Sequence, residues 1–384
     1  MRLSEQIIFF GIVFTVYAAV NFYILRRVVT VVPDNYRNPF IIISVFIILS
    51  YIIGRFLENY FLNHITDFLV WLGSFWIAIM FYLFLILILV DLVRLVNYVI
   101  PFFPTIIKEN PEKTKRLAAI IISIFITIMV AGGFINTKLF YIKKINLNVY
   151  KDAGKLTTLN IVAASDLHLG TINGNHFAWR VVENINSLNP DIVLLAGDIV
   201  DEDIAPIIRE NVGETLKLLN AKYGVYAVTG NHEYIGGIND AVNYLVDHNI
   251  NLLRDSVVLI DSSFYIAGRD DLSIARFAGG KRKSLSEIVV GIDKSKPIIM
   301  MDHQPFNLNQ AQENGIDLQI SGHTHHGQLW PLNYITKMIY EISWGYKFIA
   351  GTHYYVSSGI GGWGPPVRLG SRPEIVNIKL NFVK

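Results

Sequence analysis

The 384-residue sequence contains no cysteine. Disulfides, thiolate metal ligands and a cysteine nucleophile are therefore excluded, and either face of a membrane stays open as a compartment. Charge is scarce too: Asp, Glu, Lys and Arg together make up 17% of the chain, and the formal net charge is only +2. With no Lys/Arg-rich run in the chain, no nucleic-acid partner is expected. Repeats and low-complexity tracts are also missing. Apolar residues are abundant instead. A hydrophobic fraction of 52% and a mean hydropathy of +0.40 exceed what an ordinary soluble protein carries, and the excess sits in the first third.

A membrane-spanning helix requires about 20 mostly apolar residues. Residues 7–25, 40–57, 68–90 and 117–135 meet that requirement, flanked by Arg26-Arg27, by Pro39 and Glu58, by Asp91, and by Lys113, Lys115 and Arg116 respectively. A cleaved signal peptide fits poorly, because apolar segments continue well past any cleavage site. One such segment alone could be a buried helix of a soluble bundle; four in succession read as a transmembrane domain over residues 1–137. Arg26, Arg27 and Arg37 share a side with Arg94, Lys108, Lys113, Lys115 and Arg116, and together they outweigh Arg2, Arg55, His64, Lys138, Lys143 and Lys144. The positive-inside rule then puts both basic loops in the cytoplasm and the C-terminal domain outside, with the lysines at 138–144 arguing the other way. Residues 92–103 read as an interfacial extension of the third helix, residues 138–155 as a linker carrying an edge strand, and residues 156–384 as a second domain.

Five polar signatures punctuate that second domain: Ser165-Asp166-Leu167-His168, Gly197-Asp198, Gly230-Asn231-His232-Glu233, Asp302-His303 and Gly322-His323-Thr324-His325. Each follows or lies close to an apolar run, at 159–164, 192–196, 225–229, 297–301 and 316–320. Such runs bounded by Gly, Pro or Asn read as buried strands of an α/β sheet. Helical patterns at 177–187, 201–220 and 238–248 alternate with the first three. From about residue 251 the strands become short and close together, at 257–260 and 264–267, which points to a second, more antiparallel layer. Residues 354–358 and 374–380 read as closing strands. Ligand sites in open α/β sheets form outside the carboxyl ends of strands. The signatures are therefore expected to meet on one rim.

Their chemistry is that of phosphoester hydrolysis. Cleaving such an ester at neutral pH needs neutralised phosphoryl charge and an activated water, and two metal ions about 3.5–4 Å apart supply both. Such a pair needs a carboxylate to bridge it and mixed imidazole and oxygen ligands. Asp166, Asp198, Asn231, His168, His303, His323 and His325 offer that donor set, which suits manganese, iron, zinc or cobalt better than calcium. Asn231 can ligate through its amide oxygen without adding charge. His232, its neighbour, is placed to protonate the leaving oxygen as general acid. A single Asp after a strand is mostly a turn former or helix cap, so no one signature carries this reading; the ordered set of five does. His64, His176, His248 and His353 fall outside the signatures and read as structural.

The set Asp166-x-His168, Gly197-Asp198, Gly230-Asn231-His232-Glu233, His303 and Gly322-His323-x-His325 resembles the signature of the calcineurin-like metallophosphoesterase superfamily. The resemblance spans roughly residues 156–382. It implies a four-layer sandwich of two mixed β-sheets flanked by helices. It also implies that Asp166, His168, Asp198 and His325 hold one divalent ion and that Asp198, Asn231, His303 and His323 hold the other, with Asp198 bridging. The tail from Tyr355 to Arg368, with Gly362-Trp363-Gly364-Pro365-Pro366, resembles the membrane-associated bacterial branch of that superfamily. That branch is similar to pyrophosphatases acting on UDP-diacylglucosamine. His326 stands where the branch usually has glycine; the ligand set is expected to survive this, but the inference to a substrate is weakened.

Residues 329–350 are rich in aromatic and aliphatic side chains. They read either as an apolar insertion packed on the sandwich or as an amphipathic lid lying on the bilayer beside the metals. A phosphate contact from Arg368 is a weaker expectation. The leading functional reading is a membrane-anchored dinuclear phosphoesterase that hydrolyses a phosphodiester or pyrophosphate bond of a phosphorylated small molecule or lipid, by attack of a hydroxide held between the metals. A membrane sensor or transport component whose soluble domain only binds is the alternative. Ionisable residues within the spans would favour that alternative, and the spans carry almost none apart from Arg55 near an end.

Overall fold

The computed structural model describes residues 3–383, with backbone alone for residues 3–7 and 9. Arg2, counted above in the charge balance, and Lys384, at the end of the second domain, lie outside the described residues. The chain forms two compact units, one running up to Ile135 together with Gly364–Val367, the other made of the remainder.

The first unit consists of helices α1 (Leu3–Val29), α2 (Arg37–Glu58), α3 (His64–Val99), the short α4 (Thr105–Glu109) and α5 (Pro111–Asn136). Four of these, all but α4, are long and apolar enough to cross a bilayer. Small residues let α2 and α3 pack closely: a Cβ on Gly73 would lie 2.3 Å from the Tyr51 nitrogen, and one on Gly54 would lie 2.8 Å from the Val70 nitrogen. Several polar groups inside the unit are paired. Trp76 Nε1 donates to Asn21 Oδ1 at 2.9 Å, and Asp91 accepts from the Tyr23 hydroxyl at 2.6 Å and pairs with Arg27. As the reading of residues 92–103 as an extension of the third helix expected, α3 continues as one helix through Val99; the charge of Asp91 is met from α1, and the first proline is Pro101.

The second unit is a four-layer sandwich. One six-stranded sheet has the order β1-β12-β2-β3-β4-β5, made of Tyr141–Val149, Glu374–Phe382, Thr158–Ala164, Ile192–Ala196, Val225–Val228 and Asn251–Leu252. The other has the order β10-β11-β9-β8-β7-β6, made of Gly345–Ile349, Thr352–Val356, Leu318–Ser321, Ile298–Met301, Phe264–Gly268 and Ser256–Ile260. Both are mixed. β2, β3, β4 and β5 run parallel and β12 antiparallel to β2; β7, β8, β9 and β11 run parallel, with β6 and β10 antiparallel at the edges.

Alternating residues make the layers. Ile161, Leu194 and Ile378 of the first sheet face Ile299, Leu318 and Ile320 of the second across one apolar core. The opposite face of the first sheet, with Val162, Val193 and Leu195, packs on Phe177, Val181 and Ile185 of helix α6 (Asn175–Ser187). The outer face of the second sheet packs on Leu285 and Ile288 of α11 (Leu285–Ile288) and Ala311 of α12 (Asn309–Glu313). The remaining helices are α7 (Ala205–Arg209), α8 (Val212–Leu216), α9 (Asn231–Gly236), α10 (Ile238–Asp247), α11 (Leu285–Ile288), α12 (Asn309–Glu313) and α13 (Leu332–Ile339). The single helix expected over 201–220 is split into α7 and α8, because Asn211 takes a left-handed conformation (φ 55°) that ends one and starts the other.

Candidate metal centre

All five signatures leave the carboxyl ends of parallel strands. Asp166 and His168 follow β2, Asp198 follows β3, Asn231 and His232 open α9 after β4, His303 follows β8, and His323 and His325 follow β9. Two sheets thus feed one rim. The backbone there is strained: Asp166, His168, Asp198, His323, His325 and His326 have φ of 54°, 46°, 50°, 70°, 45° and 47°. Each left-handed non-glycine residue costs roughly 1 kcal/mol, so such a cluster persists only where the surroundings fix it.

Glu233 is one of the fixings. Buried at 1% exposure, its carboxylate accepts from the backbone nitrogens of Ile199 at 2.6 Å, Gly230 at 2.7 Å, Val200 at 2.9 Å and Asp198 at 3.2 Å. It ties the Asp198 loop to the start of α9. Two glycines let these loops touch. A Cβ on Gly230 would sit 2.2 Å from Asp198 Oδ1, and one on Gly197 (φ 87°) would sit 2.5 Å from His303 Nδ1. His303 Nδ1 faces the Ala196 carbonyl at 2.8 Å, which turns Nε2 inward.

The side chains gather in two groups that share Asp198. In the first, His325 Nε2 lies 3.1 Å from His168 Nε2 and 3.4 Å from Asp166 Oδ1. In the second, Asp198 Oδ2 lies 3.1 Å from His303 Nε2, and His323 Nδ1 lies 2.8 Å from Asn231 Oδ1. The same Asp198 Oδ2 is 3.8 Å from His168 Nε2 in the first group. Its other oxygen accepts the His232 backbone N–H at 2.8 Å, and so is spoken for. Asp166, His168, Asp198, His303 and His325 are buried, while Asn231, His232 and His323 are partly open.

These residues fit a pair of cations. Asp166, His168 and His325 each offer one ligand atom within 4.8 Å of the others, as do Asp198, His303 and His323. Asp166 Oδ2 is buried with no hydrogen-bond partner among the described residues. His168 Nε2 and His325 Nε2 lie within hydrogen-bond distance at 3.1 Å, and the same two nitrogens can turn toward one ion. Burial, with the His303 charge, holds His323 down to about 4, and burial, with His168 and Arg368, holds His325 well below the usual imidazole range; both rings keep free lone pairs. Burial disfavours a charged His303, yet the Asp198 carboxylate outweighs it and draws a proton to that ring. A bound cation would take that proton's place. The oxygen and nitrogen donors, without sulfur, suit manganese, iron or zinc.

His232 stands slightly apart. Its Nδ1 lies 2.9 Å from Asp201 Oδ1, and its ring centroid is 4.4 Å from that of His168. A ring nitrogen of His232 also comes within 4.8 Å of ligand atoms on His168 and Asp198, so it borders the first group. Burial opposes charge on His232, but the Asp198 charge and the Asp201 hydrogen bond raise it to about 9.

Asp201 is the residue that sequence reasoning missed. Three positions after Asp198 in an ordinary-looking turn, it carries no signal of its own. Its carboxylate also lies 3.5 Å from His168 Nδ1. Burial pushes its pKa up, but hydrogen bonds to His168 and His232 hold it well below the usual carboxylate range. Glu233 was visible in its signature, though without a task. The phosphate contact expected of Arg368 is corrected: at 1% exposure it donates to the carbonyls of Gly359 at 2.7 Å and Ser358, and sits 3.2 Å from His325 Nδ1. It braces the metal-site wall from behind. His326 points away from both groups; its Nδ1 is 3.1 Å from Ser343 Oγ and its ring is 5.3 Å from that of Trp344.

Glu233→Ala would leave four backbone donors without their acceptor. We expect it to lower the stability of the domain by roughly 3 kcal/mol. A melting curve of the purified variant beside the parent checks this. An unchanged curve would mean that the clamp is dispensable.

The sequence profile of the calcineurin-like phosphoesterases matches residues 159–327. An uncharacterized metallophosphoesterase of Aquifex aeolicus is 33% identical over 228 residues, covering 59% of this chain and 86% of that one. One of Helicobacter pylori is 33% identical over 228 residues, and there the chain spans 60% of the relative's length. A transmembrane protein with metallophosphoesterase domain from Danio rerio is 33% identical over 248 residues, covering 62% of this chain and 56% of that one. With these relatives and a site built from that signature, the chain belongs to the calcineurin-like metallophosphoesterases and is a membrane protein of that family.

Proposed function

We propose that this protein is a membrane-anchored, dinuclear metal-dependent phosphoesterase that cleaves a phosphodiester or pyrophosphate bond, with a lipid-linked compound as the substrate class. The observation that carries the reading is Asp198: one carboxylate oxygen lies 3.1 Å from the His303 nitrogen and 3.8 Å from the His168 nitrogen, so a single atom addresses both groups. Asp166, His168, Asp198 and His325 would hold one ion; Asp198, Asn231, His303 and His323 would hold the other. When bound, the pair supplies charge neutralisation at the phosphoryl oxygens and a water acidic enough to be a nucleophile.

The chain's own residues do the rest. Asn231 adds an oxygen donor without charge, so the site keeps net positive character toward an anionic ester. His232, held by Asp201 at 2.9 Å, would give its proton to the departing oxygen. The strained loops hold the donors in place before substrate arrives, so the reorganisation is already made. The lipid-linked class is supported by the four spanning helices and by the aromatic stretch adjoining the site. The placement of the catalytic domain outside the cytoplasm is supported by the basic loops. A cysteine introduced at exposed Asp240 tests it with a membrane-impermeant maleimide on intact cells. Labelling only after permeabilisation would put the domain inside.

The detergent-purified protein, stripped of metal and resupplied with manganese, zinc, iron or cobalt, is expected to hydrolyse bis-p-nitrophenyl phosphate. Asp198→Ala should reduce that turnover by at least about a thousandfold while folding is retained. Full activity in that variant would sink the mechanism; turnover of p-nitrophenyl phosphate alone would make the enzyme a monoesterase.

A general acid must be protonated, so kcat/KM falls as pH rises through the pKa of His232. In Asp201→Asn the hydrogen-bonded carboxylate that stabilises the charged ring is lost, and the alkaline limb should move down by about one unit or more. An unmoved limb with a lower plateau would leave Asp201 a purely structural part.

A further inference from the structure

The stretch from Trp330 to Phe348 adjoins the metal centre and is apolar outside as well as inside. It leaves the His325–His326 loop, forms α13, and returns as the edge strand β10. Every residue of α13 is at least partly exposed. Tyr334, Ile335, Met338 and Ile339 form a stripe at helical spacing, with Met338 79% exposed. Trp330, Trp344, Tyr346 and Phe348 extend the same kind of surface beyond the helix, at 41–58% exposure. Exposed apolar side chains gathered along one segment mark a surface that meets a partner or a membrane.

Inward, the stretch is fastened to the site. Thr324 Oγ1 and His326 Nδ1 both bond to Ser343, the Tyr340 ring is 6.1 Å from that of His323, and Phe306 packs on Tyr340 at 4.9 Å. Whatever covers the outer surface therefore lies beside the metals.

We propose that the surface formed by α13 and β10 seats in the headgroup layer of the bilayer. Three observations select that occupant. The same chain carries four helices long and apolar enough to cross a bilayer. The surface is built from Trp and Tyr, which partition to the headgroup zone, together with Met, Ile and Phe, which reach the acyl boundary. Lys337 and Lys347, both exposed, flank it against a single exposed carboxylate, Glu341, a balance that favours anionic headgroups. Seated this way, the stretch presents the site to esters at phosphate depth, and it would do so whichever ester the enzyme cleaves.

The absence of native cysteine makes a direct test clean. Met338→Cys and, as a control on α10, Asp240→Cys both replace exposed side chains and are labelled singly with a nitroxide. The full-length protein is placed one copy per nanodisc of phosphatidylcholine and phosphatidylglycerol. Collision rates with oxygen, which concentrates in lipid, and with a water-soluble nickel chelate are then compared. The ratio of oxygen to nickel collisions is expected to be higher by roughly fivefold or more at 338 than at 240. Equal ratios would overturn the proposal. A 338 label shielded from both agents, with dipolar broadening at higher protein loading, would overturn it in favour of a second copy of this chain. Neither result depends on turnover, so the outcome stands apart from the catalytic reading.

Discussion

A carboxylate placed between two groups of candidate ligands constrains the whole domain. Asp198 has to reach across from the end of β3 to histidines delivered by the other sheet and by β2, and it does so from a left-handed backbone. Everything around it serves that reach. Gly230 and Gly197 clear the space, Glu233 gathers the backbone donors of the loop, and the Ala196 carbonyl turns His303 inward. A side chain added at either glycine would collide with the ligand set itself. The economy of the site lies in its main chain.

Burial gives the same cluster its electrostatic character. Dry surroundings disfavour charge on His232, His303, His323 and His325, and the outcome differs by neighbour. Burial holds His323 and His325 low, whereas facing carboxylates raise His232 and, through Asp198, His303. One residue type takes opposite shifts by placement alone. Asp201 is central to this division, although it touches neither a phosphoryl group nor a cation in the reading proposed above.

Much of the fold was legible because buried strands of parallel sheets are short apolar runs, and the chain's runs end in polar signatures. The four spans were legible for a cruder reason, length and hydropathy. The structure gathers all seven candidate ligands and His232 at one rim, as a topology with sites at carboxyl strand ends requires. What stayed hidden was local or non-local pairing. The partners of Asp91, Tyr23 and Arg27, lie 68 and 64 positions away along the chain, where no local pattern points to them. The break at Asn211 turns on one residue's φ, which no periodicity encodes. Arg368 carried a charge that invited a phosphate, yet it is buried and both its terminal nitrogens donate to main-chain carbonyls. The outward face of α13 was ambiguous for another reason: an amphipathic helix reads the same whether its apolar side meets a core or a bilayer.

Two cations sharing Asp198 is the central claim, and the most direct measurement is the metal–metal distance in the loaded protein. Manganese- or zinc-loaded protein, with its metal content counted, is taken to X-ray absorption fine structure. The account predicts two ions per chain and a metal–metal scattering vector near 3.5–4 Å, lost when Asp198 is replaced by alanine. One ion per chain, or two without that vector, would contradict it.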